Sequence, residues 1–371
     1  MAETPFIPLM IPDIQQQDID AVADVLKSGM LVQGEKVDQL EKNIADYLGI
    51  KHAIAVSNGT ASLHLALHVL GIGRGDEVII PALSYIATAN VVELVGATPI
   101  FVDIDIKTFN IDVSKIEQAI TPNTKAIMPV HEFGLSCDIN EVCRIAKKHN
   151  LFVIEDAACA LGAKVNDQFT GTFGDIGSFS FHPRKAITSG EGGLLTTNND
   201  ELANRLRIVR NHGIELVQGK MEFVEPGFNY RMTDFQAALV LSQFQRFDKT
   251  IAHKQVLAEL YINELSKTFE LPIVPINYKH TWQSFHILVD DQTDRDELIT
   301  KMKLAGVGVN LGAQCIPNEK YYKQKYKLNS ELLFPNALKA NQKGLVLPLY
   351  EKLTPKLIMD IIDTLNKTID E

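Results

Sequence analysis

The chain has 371 residues, of which 46% are hydrophobic and 22% are charged, an ordinary composition for a soluble globular protein. This length is more than one hydrophobic core usually serves, so we expect two closely associated domains. The formal net charge of -10 argues against DNA, RNA or an anionic membrane as the main partner. No apolar run reaches the roughly 20 residues that span a bilayer, and we expect a cytoplasmic protein.

The cysteine and histidine spacings do not indicate a metal site. There is no CxxC pair among the cysteines, which are Cys137, Cys143, Cys159 and Cys315. Reduced thiols in a reducing compartment explain them. His64 and His68 lie four residues apart on a predicted helix, but no acidic residue stands between them in HLALH. We therefore expect ordinary histidines at this position and no bound metal.

In chain order, residues 13–29 predict a helix that ends at a glycine. Strand-like apolar runs then alternate with helical segments, which is typical of a mostly parallel sheet flanked by helices. These runs begin at Ala53, Glu77, Pro99, Lys125 and Leu151. A long helical stretch, roughly Thr233 to Lys267, leads away from the sheet, and a smaller α/β domain follows from about Phe269.

Ligands of open α/β sheets bind at the carboxyl ends of the strands, so the residues that follow each strand are the first candidates for a site. After the run at Ala53 comes SNGTASLHLAL, in which Gly59 permits close backbone approach and Ser57 and Thr60 supply hydroxyls where a helix starts. Such a turn can hold a phosphate group. The same residues also serve as a plain helix cap, and both interpretations stay open.

Two carboxylates, Glu155 and Asp156, end the strand that begins at Leu151. A carboxylate at the end of a buried strand is costly unless it meets a cation or several hydrogen-bond donors. A protonated ring nitrogen would be one such partner. A structural cap or a salt bridge explains the pair equally well.

The third candidate is Lys185, in the segment SFSFHPRKAITSGEGG. Pro183 breaks the strand GSFSF, and Lys185 follows on an irregular stretch that ends in glycines. Most lysines are solvated surface charges. A shielded lysine amine can form a Schiff base with a carbonyl, provided that small neighbours let a flat cofactor approach.

Together, the three candidate segments and others in the same order along nearly the whole chain resemble one protein family. Segments such as VSNGTASLHLAL, GDEVIIPALSYIATAN, VIEDAACALGA, SFSFHPRKAITSGEGG and GFNYRMTDFQAAL are similar to those of the DegT/DnrJ/EryC1/StrS sugar aminotransferases. These are fold type I enzymes that depend on pyridoxal 5'-phosphate (PLP). The resemblance implies an α/β fold with a mostly parallel, seven-stranded mixed sheet in a large domain (13–245). A smaller C-terminal α/β domain (246–371) would follow, with residues 1–12 available to pack against it.

The resemblance also implies roles for individual residues. Lys185 would hold PLP as a Schiff base, and Asp156 would keep the pyridine nitrogen protonated, which makes the ring an electron sink. PLP would cycle through pyridoxamine 5'-phosphate (PMP). The implied contacts to the phosphate are Ser57, Gly59, Thr60 and Ser180.

Two further positions match cofactor contacts of the family. Tyr85 matches the aromatic residue that stacks on the cofactor ring, although an ordinary core aromatic is the alternative. Asn229 matches the residue that reaches the phosphate of the neighbouring subunit, which implies an obligatory homodimer with shared active sites. Cys159 departs from the family's common Gln, His or Glu beside the cofactor, and a small packing residue is our favoured interpretation.

Substrate contacts are less well specified. His182 faces the substrate or supports the loop. For Glu191 we favour orientation of the glycine loop, and an acid near the reacting amine is the alternative. Arg184 and Arg231 are candidates to bind the substrate diphosphate. In the smaller domain, His280 and Trp282 are candidates to line the sugar or base pocket. Each of these four residues could instead be structural.

The implied reaction moves an amino group from glutamate to a ketone on a nucleotide-linked sugar, for surface polysaccharide such as the O-antigen of lipopolysaccharide. The segments SFHPRK, NYRMTD and HTWQS look most like family members that aminate C4 of 4-keto-6-deoxy sugars, as in the perosamine branch. Amination at C3 is the alternative within the family. A non-catalytic PLP-binding regulator is the alternative from another class.

Overall fold

The computed structural model describes residues 6–265 and 269–370. Its α-helices are, in chain order, α1 (Gln16–Ser28), α2 (Glu35–Leu48), α3 (Gly59–Val69), α4 (Ala87–Leu94), α5 (Ile139–His149), α6 (Asp200–Arg210), α7 (Asp234–Phe244), α8 (Phe247–Glu264), α9 (Arg295–Leu304), α10 (Lys320–Tyr326), α11 (Ser330–Leu333), α12 (Pro335–Lys343) and α13 (Pro355–Asp370). None of the helices in this part of the chain has the length and apolar character needed to cross a membrane.

The strands are β1 (His52–Val56), β2 (Glu77–Pro81), β3 (Leu83–Ser84), β4 (Thr98–Val102), β5 (Thr124–Ile127), β6 (Phe152–Asp156), β7 (Lys164–Val165), β8 (Gln168–Phe169), β9 (Ile176–Ser180), β10 (Gly193–Thr197), β11 (Ile214–Val217), β12 (Lys220–Phe223), β13 (Tyr278–Lys279), β14 (Phe285–Leu288), β15 (Gln314–Cys315) and β16 (Gly344–Leu347). Seven of them form the main sheet in the order β1-β10-β9-β6-β5-β2-β4. Six of the seven strands run in the same direction, and β10 is antiparallel to them. The predicted fold class, a mostly parallel seven-stranded mixed sheet flanked by helices, is confirmed.

Strand side chains alternate between the two faces of the sheet, and both faces are covered. In β1, Ile54 and Val56 pack with the apolar side chains of α3, α4 and α6. Ala53 and Ala55, in the alternate positions, pack with α2 and α7. The carboxyl ends of the parallel strands therefore open between two helical layers.

The predicted first helix begins later than expected. Residues 13–15 precede α1, because the Gln15 N–H donates to Asp18 Oδ2 at 2.8 Å and caps the helix there. The predicted end is correct: Gly29 follows the last helical residue with φ 74°, a left-handed conformation that glycine adopts without strain.

The prediction of one long helical stretch from Thr233 to Lys267 was wrong. Two helices, α7 and α8, are separated at Gln245 and Arg246, and Lys267 lies outside the described residues. Arg246 leaves the helical conformation, and its guanidinium binds Asp18 at 2.6 Å. Apolar periodicity continues across this break, so the pattern alone did not reveal it.

A second core forms where β14 pairs with β16 and packs with α8, α9 and α13. Ile7 and Met10 pack against this core. Residues 313–340, in contrast, contribute to the core of the main sheet, where Phe334 meets the edge of Phe101 at 6.2 Å between ring centroids. The domain boundary between residues 245 and 246 stays a prediction.

Candidate active site

The two carboxylates at the end of β6 have different surroundings. Glu155 is fully buried and accepts four hydrogen bonds. Oε1 accepts the N–H groups of Phe173 and Gly174 at 2.7 and 2.8 Å, and Oε2 accepts that of Gly171 at 2.7 Å. The fourth donor is His131 Nε2 at 2.9 Å. Glu155 therefore holds the loop before β9, as the structural-cap interpretation predicted.

Asp156 points to the opposite face of the sheet, toward α4. Its Oδ2 accepts the hydroxyl of Thr88 at 2.9 Å, and its Oδ1 accepts the N–H of Ala158 at 3.2 Å. Ser84 donates to Thr88 in turn, at 3.0 Å. Burial raises the pKa of Asp156, whereas the two hydrogen bonds and the charge of Lys185 lower it. A cation beside this carboxylate would offset its cost of burial.

Lys185 follows the neighbouring strand, β9, on a tight turn in which its N–H donates to the carbonyl of His182 at 2.8 Å. Its amine lies 2.9 Å from the sulfur of Cys159. Both residues line an open cleft, together with Ser180 and Thr281. Burial raises the pKa of Cys159, so the thiol is a weak acceptor for the Lys185 amine.

The N-terminus of α3 meets the end of β9 at Gly59. A Cβ atom at Gly59 would lie 2.9 Å from the Cβ of Ser180, so the close approach requires glycine. Asn58 caps the helix by accepting the N–H of Ala61 at 2.8 Å. The N–H groups of Gly59 and Thr60 open the helix, where no helical carbonyl precedes them and where the helix dipole favours an anion.

These elements bring an amine, a buried carboxylate and a helix N-terminus to the carboxyl ends of β9, β6 and β1, at one edge of the main sheet. The set fits PLP, which offers a carbonyl to an amine, a basic ring nitrogen to a carboxylate and a phosphate to a helix N-terminus. Within the described residues, no three His, Cys, Asp or Glu side chains are arranged to hold a metal ion.

The model of the DegT/DnrJ/EryC1/StrS aminotransferase family matches residues 12–366. The chain belongs to this family. The GDP-perosamine synthase of Caulobacter vibrioides is 42% identical over 313 residues, which are 83% of this chain and 84% of the relative. The spore coat polysaccharide biosynthesis protein SpsC of Bacillus subtilis is 37% identical and covers 98% of this chain and 97% of its own.

Solved structures of sugar aminotransferases share the fold. The putative sugar aminotransferase Spr1654 from Streptococcus pneumoniae, in its PMP form, superimposes with a TM-score of 0.93 at 29% identity, covering 98% of both chains. Its PLP form gives the same TM-score. Helicobacter pylori PseC, an aminotransferase of pseudoaminic acid biosynthesis, gives 0.92 at 28% identity, covering 98% of this chain and 99% of its own. The chain is a PLP-dependent sugar aminotransferase, and its cofactor cycles between PLP and PMP.

Two of the aminotransferase's predicted cofactor contacts are exposed in the single chain. Tyr85 begins the turn into α4 with 68% of its surface exposed, so it is not a core aromatic. Asn229 is also exposed, on a segment whose neighbour Tyr230 accepts the N–H of Ser57 at 2.8 Å. Ser57 thus lies beside this segment, at the entry to the Gly59 turn.

The predicted substrate contacts of the large domain have different surroundings. The ring Nδ1 of His182 accepts the N–H of Arg184 at 3.2 Å, and burial lowers the His182 pKa. Glu191 is exposed, and its carbonyl accepts Gln236 Nε2 at 2.7 Å. Arg184 is exposed near the cleft, whereas Arg231 is half-buried and donates to Asn211 at 2.6 Å.

His280 and Trp282 are not brought into the cleft with Lys185. Their rings stack on each other, 3.9 Å between centroids, and are 4% and 5% exposed. Burial lowers the pKa of His280 to about 3, so the ring is neutral. Thr281 and Gln283, on either side of Trp282, line the cleft instead. In this structure the two rings belong to the packing behind the cleft wall.

Sequence reasoning missed residues on both sides of the site. Thr88, which bonds Asp156, lies one helical turn after Tyr85 in the same motif. Glu132 is a buried acid whose pKa is raised by burial and by the charge of Asp156. It follows β5 at the carboxyl edge of the sheet, so the rule that pointed to Asp156 would have found it as well.

Proposed function

We propose that this aminotransferase moves an amino group from glutamate to the C4 ketone of a nucleotide-linked 4-keto-6-deoxy sugar, for surface polysaccharide synthesis. The observation that carries the proposal is that Lys185, Asp156 and the Gly59 turn stand at one edge of the main sheet, with Ser180 against Gly59 and the charge of Lys185 acting on Asp156. The C4 position and the sugar class are supported by the similarity to a GDP-perosamine synthase, because perosamine belongs to the C4-aminated sugars indicated by the sequence.

The residues of the cleft divide the work. Bound PLP supplies a carbonyl and an electron-withdrawing ring. Lys185 would hold the cofactor covalently and, when released, would move a proton between the substrate carbon and the cofactor carbon. Asp156 would hold the proton on the ring nitrogen, and Tyr85 would cover the ring. Gly59, with Ser57, Thr60 and Ser180, would bind the phosphate.

The substrate diphosphate would meet the exposed Arg184, and Arg231 is the second candidate. The burial of His280 and Trp282 behind Thr281 and Gln283, which line the cleft, supports an indirect role for them in sugar binding. Arg184 also supports the cleft wall, since its carbonyl accepts Gln283 Nε2 at 3.2 Å.

The exposed surface of the chain supports a homodimer with shared active sites. On the hairpin of β11 and β12, the exposed fractions of Leu216, Met221 and Phe223 are 72%, 63% and 72%. Apolar side chains on a projecting hairpin are typical of an interface. Asn229, exposed shortly after this hairpin, would reach the phosphate in the partner subunit.

We infer a cytoplasmic location. All four cysteines are unpaired, as is usual for proteins of a reducing compartment.

The absorbance spectrum tests the cofactor assignment first. The purified protein should be yellow, and glutamate should bleach the visible band by converting the cofactor to its amine form. Lys185→Ala should lack the covalent adduct while an exposed control, Lys27→Ala, keeps it. A colourless wild-type protein that stays colourless with added PLP would refute the assignment.

A substrate panel tests the sugar. The PMP-loaded protein should regain its visible band with nucleotide-linked 4-keto-6-deoxy sugars and not with the matched 3-keto sugars. The opposite preference would move the assignment to C3. Among amino acids, glutamate should reload the amine form fastest, and equal reloading by alanine or aspartate would remove glutamate as the specific donor.

Subunit mixing tests the shared site. Lys185→Ala and Asn229→Ala subunits, each inactive alone, should recover part of the activity when unfolded together and refolded, because hybrid dimers contain one intact site. No recovery, with hybrids demonstrated by mass, would place Asn229 in its own subunit's site.

A further inference from the structure

The segment that carries Lys185 is a closed loop. Phe181, which follows β9, accepts the N–H of Ser189 at its carbonyl oxygen at 3.0 Å and the hydroxyl of Thr188 at 2.8 Å. These two hydrogen bonds bring the end of the loop back to its start. Residues 185–187, directly before Thr188, line the cleft. The position of Thr188 therefore bears on where the Lys185 amine stands.

Gln243 of α7 holds the backbone of Thr188 from outside the loop. Its side-chain oxygen accepts the N–H of Thr188 at 3.1 Å, and its Nε2 donates to the Thr188 carbonyl at 2.7 Å. Nε2 also donates to the carbonyl of Leu239, one helical turn earlier, at 2.7 Å. Gln243 is 3% exposed and Thr188 is 4% exposed. One buried amide therefore pairs both backbone groups of a loop residue that water does not reach.

A second glutamine of α7, two helical turns earlier, meets the segment that follows the loop. Gln236 Nε2 donates to the carbonyl of Glu191 at 2.7 Å, while its Oε1 accepts the hydroxyl of Thr233 in the cap of the helix. Two residues later, a Cβ at Gly193 would lie 2.8 Å from the backbone nitrogen of Gly59. The return of the chain from the loop is therefore fixed between α7 and the turn that we expect to bind the phosphate.

A covalent bond depends on where the reacting amine stands. Reacting groups must be held close together and in the right orientation, and a displacement of about 1 Å can cost about a hundredfold in rate. Without the Gln243 amide, the N–H and the carbonyl of Thr188 would lose these partners in a buried place, which is costly. The loss favours loop conformations in which both groups reach water, and Lys185 lies only three residues away.

We propose that Gln243 and Gln236 are positioning residues for Lys185, which they hold at bonding distance from the cofactor carbonyl by fixing the backbone of its loop. The proposal rests on the proposed role of Lys185 as the residue that bonds the cofactor. The groups that would bind the ring and the phosphate are carried by other elements, the end of β6 and the start of α3. The two glutamines should therefore affect the covalent bond and spare the other cofactor contacts.

The experiment compares the affinities of PLP and PMP for the cofactor-free protein in fluorescence titrations. PLP can bond to Lys185, whereas PMP carries an amine in place of the carbonyl and cannot. A change in the ratio of the two affinities therefore reports on the covalent bond. Gln243→Met keeps the length of the side chain and removes both hydrogen bonds to Thr188. Its PLP affinity should fall about tenfold more than its PMP affinity, the cost of ordering a loop residue before the bond forms.

Asn110→Leu is the matched control, because Asn110 is 2% exposed and its amide also holds the backbone of a buried turn. Its Nδ2 donates to the carbonyls of Leu135 and Ser136 at 3.2 and 3.3 Å, and its Oδ1 accepts the N–H of Glu132 at 2.9 Å. This variant should lose stability in denaturant unfolding and keep the wild-type ratio of affinities. A wild-type ratio in Gln243→Met, or an equal change of ratio in both variants, would overturn the proposal.

If Gln243→Met does not fold, Gln236→Glu decides instead. A glutamate keeps the capping contacts to Thr233 and loses the donor to the Glu191 carbonyl, at a position that is only partly buried. The variant should fold and should lose more affinity for PLP than for PMP. An unchanged ratio in this variant would then overturn the proposal.

Lys185→Ala separates a failure of this proposal from a failure of the proposed function. It should lose the preference for PLP that the covalent bond provides. If it keeps the wild-type ratio of affinities, the assignment of Lys185 fails, and the positioning proposal fails with it. A lost preference in Lys185→Ala together with a wild-type ratio in Gln243→Met leaves the assignment standing and removes only the positioning role.

Discussion

Glu155 and Asp156 are adjacent carboxylates of one strand; the first accepts four hydrogen bonds in the core, and the second is the one proposed to act on the cofactor. We expect Glu155→Gln to destabilise the protein strongly, even where cofactor is absent. Asp156→Asn should leave the cofactor-free protein about as stable as the wild type and impair PLP-dependent activity. The contrast is sharp because both substitutions only replace an oxygen by an NH₂ group.

The magnitude for Glu155→Gln follows from its four hydrogen bonds. The Oε1 position still accepts the N–H groups of Phe173 and Gly174. At the Oε2 position, an NH₂ group would face two donors, the Gly171 N–H and His131 Nε2. The Nδ1 atom of His131 accepts the Cys137 N–H at 3.2 Å, so Nε2 carries the proton. Two buried donors left unpaired cost about 2 kcal/mol each, which gives about 4 kcal/mol.

Asp156→Asn differs because Asp156 accepts only two hydrogen bonds, at 2.9 Å and 3.2 Å. An amide can keep its oxygen toward one of the donors, and the substitution removes a charge whose burial is unfavourable. The stability lost with one hydrogen bond and the stability gained by removing the buried charge are of similar size. Activity should fall because a neutral amide at position 156 cannot offer the protonated ring nitrogen a negatively charged hydrogen-bond acceptor.

Denaturant unfolding of the cofactor-free proteins measures both effects, since bound PLP would add its own stabilisation. Glu117→Gln is a suitable control, because Glu117 pairs with Lys148 and His149 on the surface and its loss should leave the midpoint nearly unchanged. A cost below about 1 kcal/mol for Glu155→Gln would refute the reasoning from hydrogen bonds. An equal cost for the two carboxylates would also refute it.

Three further outcomes are expected. Gly59→Ala should weaken PLP binding about tenfold in a spectroscopic titration, which is about 1.4 kcal/mol, because its Cβ would approach the Cβ of Ser180; an unchanged affinity would contradict this. Thr88→Val should weaken PLP binding more at low than at high pH, since Thr88 lowers the pKa of Asp156; equal weakening at both would contradict this. The pKa of His286 is lowered to about 3 by burial, so its stabilising effect is complete above about pH 6.5 and falls by about 1.4 kcal/mol per unit below it. His286→Leu should therefore lose about 2 kcal/mol less than the wild type between about pH 6.5 and pH 5 in urea unfolding.

The sequence predicted most of the main sheet because its parallel strands are short apolar runs that alternate with helical segments. It predicted α7 and α8 badly, since the break at Arg246 depends on an ion pair with Asp18, 228 residues away in the chain. Apolar spacing records burial and does not record such a distant partner. The same limit explains why the sequence leaves both a substrate contact and a structural role open for Trp282: an aromatic residue in the site and one behind its wall have the same sequence pattern.

The alternation of side chains along a strand is a sequence signal that separates Glu155 from Asp156. Successive strand residues point to opposite faces. Ile176 and Ile154 pack on the face covered by α3, and Asp156 falls two residues after Ile154. Ser178 and Ser180 follow Ile176 at the same spacing, and Ser178 bonds Ser62 of α3 while Ser180 meets Gly59. Because the candidate phosphate turn begins α3, the face shared with α3 is the face of the site. This alternation does not predict the position of Glu132. That residue lies beyond the end of β5, in a turn where Phe133 has a positive φ and the strand pattern no longer applies.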